Sequence, residues 1–126
     1  MSELSGKGVV RVMWQSRHAP TREQVSVLGE KLGTDGREVV VEQISGTFSS
    51  GRAIVDHFEE SRADEMVVVL PIHILAELIH DLRRRHLAIR PIRAVMTRAL
   101  DAEGNAIFSF DHFERVLDIE IVCEPL

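Results

Sequence analysis

The sequence predicts an α/β domain in which helices flank a mostly parallel sheet, with an antiparallel strand or hairpin at its C-terminal end. Short apolar runs bounded by polar residues, typical of buried strands, alternate with segments of helical periodicity. Strands that alternate with helices form right-handed crossovers onto a parallel sheet. The length of 126 residues suits a single domain spanning residues 1–126, of which 1–7 are expected to be disordered.

Four segments are the predicted strands of the parallel part of the sheet. They lie at residues 8–14, 38–44 and 65–70 and within residues 90–100. Consecutive β-branched residues in the third segment indicate burial on both faces of the sheet. A turn sequence at 101–106 precedes one or two further strands. Near the C-terminus Leu117, Ile119 and Ile121 alternate with mostly polar residues, which is typical of a half-exposed edge strand.

Helical periodicity predicts three helices between these strands. Thr21 followed by Gln24 has the form of a capping box at the start of the first helix, which a glycine ends. The second helix starts after Ser49 or Ser50, and the third follows Pro71. The apolar residues at helical spacing are Val25, Leu28 and Leu32 in the first helix, Ile54, Val55 and Phe58 in the second, and Ile74 or Leu75, Leu78, Ile79 and Leu82 in the third.

The distribution of charge predicts a small anionic ligand. The formal net charge of −5 argues against a duplex nucleic acid as partner. Residues 83–98 nevertheless hold six arginines and no acid, so this window carries +6. A local basic patch on an acidic protein fits a compact anion, although the first three arginines can simply end a helix, where cations suit the dipole. The six are Arg83, Arg84, Arg85, Arg90, Arg93 and Arg98.

Composition and spacing predict a cytoplasmic protein without a metal or another cofactor. No stretch approaches the roughly 20 apolar residues that a membrane helix needs, so no membrane partner is expected. The single cysteine, Cys123, cannot form an internal bridge and is interpreted as a small buried hydrophobe. The cysteine and histidine spacing shows no zinc pattern, and the sequence has neither a Gly-x-Gly-x-x-Gly motif nor a phosphate loop.

The candidate site lies beyond the carboxyl ends of the strands, where parallel α/β sheets bind ligands. Ser16, Arg17 and His18 directly precede a helix start, where backbone N–H groups and the helix dipole favour phosphate. Arginine grips phosphate through two hydrogen bonds, and histidine transfers protons near neutral pH. His73, also at a helix start, is a second such group or a capping residue. The other residues expected at this edge are Gln15, Ser45, Thr47, Ser49, Ser50, Thr97 and Arg98.

Two of these loops resemble motifs of known proteins. The segment WQSRHAPTREQ, residues 14–24, resembles the Ser-His or Arg-His signature, followed by Thr-x-x-Gln, of several small CRISPR-associated proteins. VVVLPIHILAEL, residues 67–78, is similar to a Leu-Pro-x-His-Leu-Ala-Ala-Glu segment in one of those families, and the closing Phe-rich strand with its terminal Glu-Pro-Leu looks like theirs. These families belong with the ring nucleases of type III CRISPR systems, which share a CARF-like, Rossmann-like fold and bind cyclic oligoadenylates.

The resemblance implies a homodimer whose two-fold symmetric pocket holds a cyclic oligoadenylate, most often cyclic tetra-adenylate. It also implies metal-independent cleavage, in which a ribose 2′-hydroxyl attacks the adjacent phosphodiester and leaves a 2′,3′-cyclic phosphate. Such cleavage would switch off a CRISPR defence response. Two alternatives stay open: a binding module of the same fold that senses or sequesters a nucleotide, and an interaction protein whose loops are polar only because they are loops.

Cleavage of this kind needs an aligned ring, donors to the phosphoryl oxygens and a proton for the departing 5′-oxygen. Ser16, Arg17 and the helix N-terminus would supply the donors. His18 or, failing that, His73 would supply the proton. Other phosphates of the ring would be held by Arg93 and Arg98.

Overall fold

Five strands form one mixed sheet with the order β2-β1-β3-β4-β5 in the computed structural model, which describes residues 8–44, 46 and 48–126. The strands are β1 (Val9–Gln15), β2 (Glu38–Ile44), β3 (Glu65–Val68), β4 (Ile92–Leu100) and β5 (Ala106–Arg115), and the helices are α1 (Arg22–Leu32), α2 (Gly51–Ser61) and α3 (Ile72–Arg84). Strands β1 to β4 are parallel, whereas β4 and β5 form an antiparallel hairpin. The α/β class and the C-terminal hairpin are confirmed, and the expectation for residues 1–7 lies outside the described residues.

Strand β1 is apolar along most of its length because both of its faces are covered. Successive side chains of a strand point to opposite faces of the sheet. Val12 and Trp14 therefore pack in one cluster with Leu28 of α1, while Met13 packs in a second cluster with Ile54 of α2 and the apolar side of α3. The sheet is thus a layer between α1 on one face and the α2–α3 pair on the other.

Local sequence sets the start of α1 and of α2. The Thr21 hydroxyl accepts a hydrogen bond from the Gln24 backbone N–H, and the Gln24 side chain accepts one from the Thr21 N–H, so the capping box is confirmed. At α2, the Ser50 hydroxyl accepts from the N–H of Ala53. A Cβ at Gly51 would overlap the backbone of Leu78, so only glycine lets the first turn of α2 approach α3 this closely.

The C-terminal segment departs from the prediction. Residues 116–126 contain no regular secondary structure, so the edge strand expected from Leu117, Ile119 and Ile121 is wrong. The segment turns away from the sheet: Arg83 donates to the Leu117 carbonyl, and Ile119 packs against the cluster beneath α3. Contacts with a helix therefore outweigh the β-pairing that the alternation alone indicates.

Cys123 lies in this same segment and is exposed, so its interpretation as a buried hydrophobe is wrong. The apolar residues around it do not enter the core once the segment leaves the sheet; Val122, for example, is 84% exposed. Within the part of the chain that the structure describes, no helix is long and apolar enough to cross a membrane.

Strands β4 and β5 continue beyond the other strands as a two-stranded ribbon, defined here as residues 94–113. Val67 pairs with Ile92, so β3 ends one residue later, level with Arg93. The seven further residues of β4 extend roughly 20 Å at about 3.3 Å per residue. Apolar side chains on the ribbon are open to solvent, with Leu100 and Phe108 both more than 60% exposed.

Candidate functional site at the carboxyl edge of the sheet

A cavity of about 540 Å³ opens at the carboxyl ends of β1 and β3. Strand β1 lies between β2 and β3, so the connections that leave β1 and β2 cross the sheet in opposite directions. This is the topological switch point at which open α/β sheets bind ligands. The last residue of β1 and the loop that follows it supply four consecutive residues of the lining, from Gln15 to His18. The predicted location of the site at this edge therefore coincides with a cavity.

Hydrogen bonds from two strands fix the backbone of the loop formed by residues 15–18. The Trp14 indole N–H donates to the His18 carbonyl at 2.8 Å, and the His18 N–H donates to the Ser16 hydroxyl at 3.1 Å. From the neighbouring strand, Gln43 Nε2 donates to the Ser16 carbonyl at 2.9 Å. Ser16 is buried, whereas Arg17 and His18 are exposed. Hydrogen bonds thus fix the backbone of the loop, while the side chains of Arg17 and His18 remain accessible to a ligand.

Gln15 joins the end of β1 to the connection between β3 and α3. Its side-chain Oε1 accepts from the Val69 N–H at 3.0 Å, and its backbone carbonyl accepts from the same N–H at 3.2 Å. Gln15 is buried and lines the cavity. With its carbonyl oxygen engaged in the fold, the carboxamide has its NH₂ group left to offer a ligand.

The carboxyl edge carries arginines without acidic partners. Arg17 on the loop, Arg22 at the start of α1 and Arg52 in the first turn of α2 are exposed. Among the described residues, no carboxylate lies within ion-pair distance of any of them. The positive ends of the α1 and α2 dipoles point to the same edge. The three guanidinium groups and the two helix N-termini thus place positive charge at this edge.

The rest of the cavity lining is mostly apolar. Gly46 and Phe48 come from the β2–α2 connection, Val69, Leu70 and Pro71 come from the β3–α3 connection, and Ile74 lies in the first turn of α3. Phe48 is half-buried against the core cluster and meets the His57 ring edge-on, with the ring centroids 6.0 Å apart. The site therefore combines a polar, cationic loop with an aromatic and aliphatic surface.

Several predicted residues lie at the same edge but outside the cavity lining. His73 is exposed on the first turn of α3, and Ser49 is exposed just before α2. Ser50 is engaged as the α2 cap. The predictions for Ser45 and Thr47 fall outside the described residues. Among the described histidines, only His18 lines this cavity.

The three ligand-binding residues predicted on β4 are separate from the cavity. Arg93 pairs with Glu114 at 2.6 Å and lines a different cavity of about 560 Å³, between α3 and the C-terminal segment. Thr97 donates to the Ser109 carbonyl at 3.3 Å, and the next residue, Arg98, points to the opposite face of the ribbon. A single chain does not bring these three to the loop of residues 15–18.

The arginine-rich window is largely neutralised by acids from other segments. Arg84 contacts Asp81 at 2.6 Å, and Arg85 contacts both Asp81 and Glu59. Arg83 pairs with Asp118 at 3.0 Å. Burial opposes ionisation of Asp81, but the two neighbouring guanidinium groups outweigh it and hold the pKa of this carboxyl below its usual value. Arg83 to Arg85 therefore act as helix-ending residues with structural partners.

The sequence interpretation did not single out Trp14, Gln43 or Phe48 as site residues. Phe48 had a readable signal, because a phenylalanine inside a loop of small polar residues is out of place unless it packs or binds. Gln43 had none, since a polar residue near the end of a strand is common. The contribution of Gln43 depends on a contact with Ser16, 27 residues away, whereas Trp14 contacts the nearby His18.

Fold and site together define an α/β protein with an open, cation-rimmed cavity at its switch point. Comparison with models of protein families, with curated proteins and with solved structures finds no match to this chain. Within residues 8–44, 46 and 48–126, no group of three or more His, Cys, Asp and Glu side chains is placed to hold a metal ion.

Proposed function

We propose that the chain is a ring nuclease with a Rossmann-like, CARF-like fold that binds and cleaves a cyclic oligoadenylate, with cyclic tetra-adenylate as the first ligand to test. One observation carries the proposal: Ser16, Arg17 and His18 line a single cavity at the switch point of the sheet. The resemblance of residues 14–24 to ring nuclease motifs supports the same assignment. In this proposal the protein acts in the cytoplasm and ends a type III CRISPR signal.

The chemistry needs groups that this loop carries and a water molecule. The ribose 2′-hydroxyl gives its proton to water as its oxygen forms a bond to phosphorus, the bond from phosphorus to the 5′-oxygen breaks, and the products are a 2′,3′-cyclic phosphate and a 5′-hydroxyl. Arg17 would neutralise charge that develops on the phosphoryl oxygens, and the Ser16 hydroxyl can donate its own proton in a hydrogen bond. His18 would give a proton to the departing 5′-oxygen. No step requires a metal ion.

The proposal includes a homodimer. A ring of four nucleotides is larger than one cavity encloses, so a second copy would hold the other half of the ring. Met96, Leu100 and Phe108 on the ribbon are 46–63% exposed, and a two-stranded ribbon is marginally stable on its own. A second copy packed against the ribbon would cover these side chains.

Incubation of the purified protein with cyclic tetra-adenylate in EDTA tests the nuclease. We expect linear products that end in a 2′,3′-cyclic phosphate. His18→Ala should lower the cleavage rate by about 10²–10⁴-fold, since proton transfer contributes that much. His80→Ala is the matched control, because His80 is exposed on α3 and does not line the cavity. Failure of the folded protein to linearise any ring size would contradict the proposal.

A nucleotide-binding protein that does not cleave its ligand is the second candidate. One observation favours it: His73 lies outside the cavity lining. Among the described residues, His18 is therefore the one histidine in the lining. This candidate predicts that the ligand is recovered intact, while the protein gains roughly 2.7 kcal/mol of stability at 100 times the dissociation constant. An interaction protein with no nucleotide ligand would show no stabilisation in the same thermal-shift experiment.

A further inference from the structure

We propose that the cavity is a nucleotide subsite with a dedicated base-stacking residue, Phe48. The inference rests on the proposed function in one respect, because it takes the ligand to be a nucleotide. It goes further by dividing the lining into a phosphate part, formed by residues 15–18, and a base part, formed by Phe48, Leu70 and Ile74. A specificity-determining residue is thereby placed outside the loop that carries the polar groups.

The lining fits a ligand with one charged and one flat apolar end. The β1–α1 loop contributes the guanidinium of Arg17 and the imidazole of His18, while the two other connections contribute almost only apolar side chains. An inorganic anion needs donors on several sides and gains nothing from aliphatic neighbours. A nucleobase has apolar faces, and ligand sites for such groups are apolar with a few placed polar groups.

Phe48 is held in place before any ligand arrives. Its ring packs against the core cluster and contacts His57 on α2 in an edge-on arrangement with 69° between the ring planes. The side chain is half-buried, so part of its surface stays open toward the cavity that it lines. An ordered ring loses little conformational entropy on binding, which favours its use as a stacking platform.

A fluorescence signal for the site is built into the protein. Trp14 is the single tryptophan of the chain, is 4% exposed, and donates its indole N–H to the His18 carbonyl at 2.8 Å. A ligand that engages the loop of residues 15–18 changes the surroundings of this indole. Titrations can therefore be followed without a label.

The test compares adenosine monophosphate with ribose 5-phosphate, which carries the same phosphate and sugar without the base. We expect the nucleotide to bind the wild-type protein on the order of 10-fold more tightly than the sugar phosphate, as stacking of one base on an aromatic ring contributes. Phe48→Leu should remove most of that difference and leave ribose 5-phosphate binding unchanged. Phe48→Tyr should keep it.

Phe108→Leu is the matched control, because this phenylalanine is exposed on the ribbon and does not line the cavity. It should leave both affinities unchanged. Circular dichroism and thermal unfolding establish that each variant is folded, and Phe48→Met replaces Phe48→Leu if the latter does not fold. Equal weakening of both ligands by the Phe48 variants, equal wild-type affinity for both, or binding of neither would overturn the inference.

A parallel cleavage assay with cyclic tetra-adenylate separates this inference from the proposed nuclease. If the ring is not cut but the base preference and its dependence on Phe48 hold, the subsite stands and the nuclease does not. If the ring is cut by Phe48→Leu with unchanged KM and kcat, the nuclease stands and the stacking role of Phe48 is overturned.

Discussion

The two edges of the sheet use arginine in different ways. At the amino edge, Arg85 at the end of α3 lies between Asp81 and Glu59, and Arg115 forms two hydrogen bonds with Glu65, at 2.9 and 2.7 Å. At the carboxyl edge, Arg17, Arg22 and Arg52 have no carboxylate partner within the described ranges. These two arginines of the amino edge are thus neutralised by acids, whereas the three at the carboxyl edge are not.

This difference is why a net charge of −5 does not argue against the proposed anionic ligand. Several acids are paired with arginines away from this edge, for example Glu59 with Arg85 and Asp118 with Arg83. Local potential, rather than net charge, steers a small ligand, and clefts lined by one sign of charge raise the local concentration of the opposite sign. The attraction should weaken as salt rises, because exposed charges are screened over about 8 Å at physiological ionic strength.

Charge reversal at one edge and then at the other tests the comparison most directly. Arg17→Glu and Arg83→Glu change the net charge equally. We expect Arg17→Glu to weaken binding of cyclic tetra-adenylate at least about 100-fold, because it replaces a charge-assisted contact by repulsion. Arg83→Glu should change affinity less than about 2-fold, since Arg83 is paired with Asp118 far from the cavity. Trp14 fluorescence titrations at low and physiological salt measure both. Equal losses would mean that overall charge, not the edge, governs binding.

At the amino edge the expected effect is on stability. Asp81 is buried and contacts Arg84 and Arg85, so Asp81→Asn removes a charged acceptor from two guanidinium groups. We expect the free energy of unfolding to fall by about 2 kcal/mol, as for loss of hydrogen bonds to a charged group. Glu30→Gln, an exposed acid on α1 that lacks an ion pair within the described ranges, is the control and should change stability little. Urea denaturation measures both, and similar losses would show that the Asp81 network adds nothing.

The lowered pKa of the Asp81 carboxyl group predicts how the stability of the protein changes with pH. Burial works against its ionisation, yet Arg84 and Arg85 hold the pKa of Asp81 in the folded protein below the unfolded value of about 3.9. Its stabilising contribution is therefore fully present above about pH 4 and is lost as the pH falls through the folded pKa. Urea denaturation between about pH 7 and pH 3 should show a steeper loss of stability for the wild type than for Asp81→Asn. If the stability of both proteins falls equally with pH, Asp81 does not contribute to the loss of stability in acid.

Local signals explain what the sequence predicted well. The apolar run of β1, the capping box at Thr21 and Gln24 and the turn at 101–106 each depend on residues close together in the chain, so the elements were located to within a few residues. The carboxyl-edge position of the site followed from the order of strands and helices alone. Ser16, Arg17 and His18 were predicted at this edge for this reason, and they line the cavity there.

Contacts between distant segments explain what the sequence did not predict. Residues 83–98 contain no acid, but the fold brings Asp56, Glu59 and Asp118 to their arginines from elsewhere. The alternation at 117–121 looks like a strand, but the segment finds a helix to pack against. Phe48 likewise becomes part of the site only when the β2–α2 connection meets the β3–α3 connection.

The smallest expected effect is that of Thr21→Ala, which tests whether ligand affinity at the carboxyl edge depends on the order of the loop or on its charge. Thr21→Ala removes the hydroxyl that accepts from the Gln24 N–H and should lower stability by about 1 kcal/mol. Ser26→Ala, at an exposed position inside α1, is the control and should be neutral or slightly stabilising, because alanine favours the helix interior. Thr21 lies beside Arg17 and His18 in the chain but carries no charge, so ligand affinity should fall no more than about 3-fold when the protein stays folded. A loss as large as that of Arg17→Glu would mean that the order of the loop, and not the unpaired guanidinium, makes this edge bind an anion.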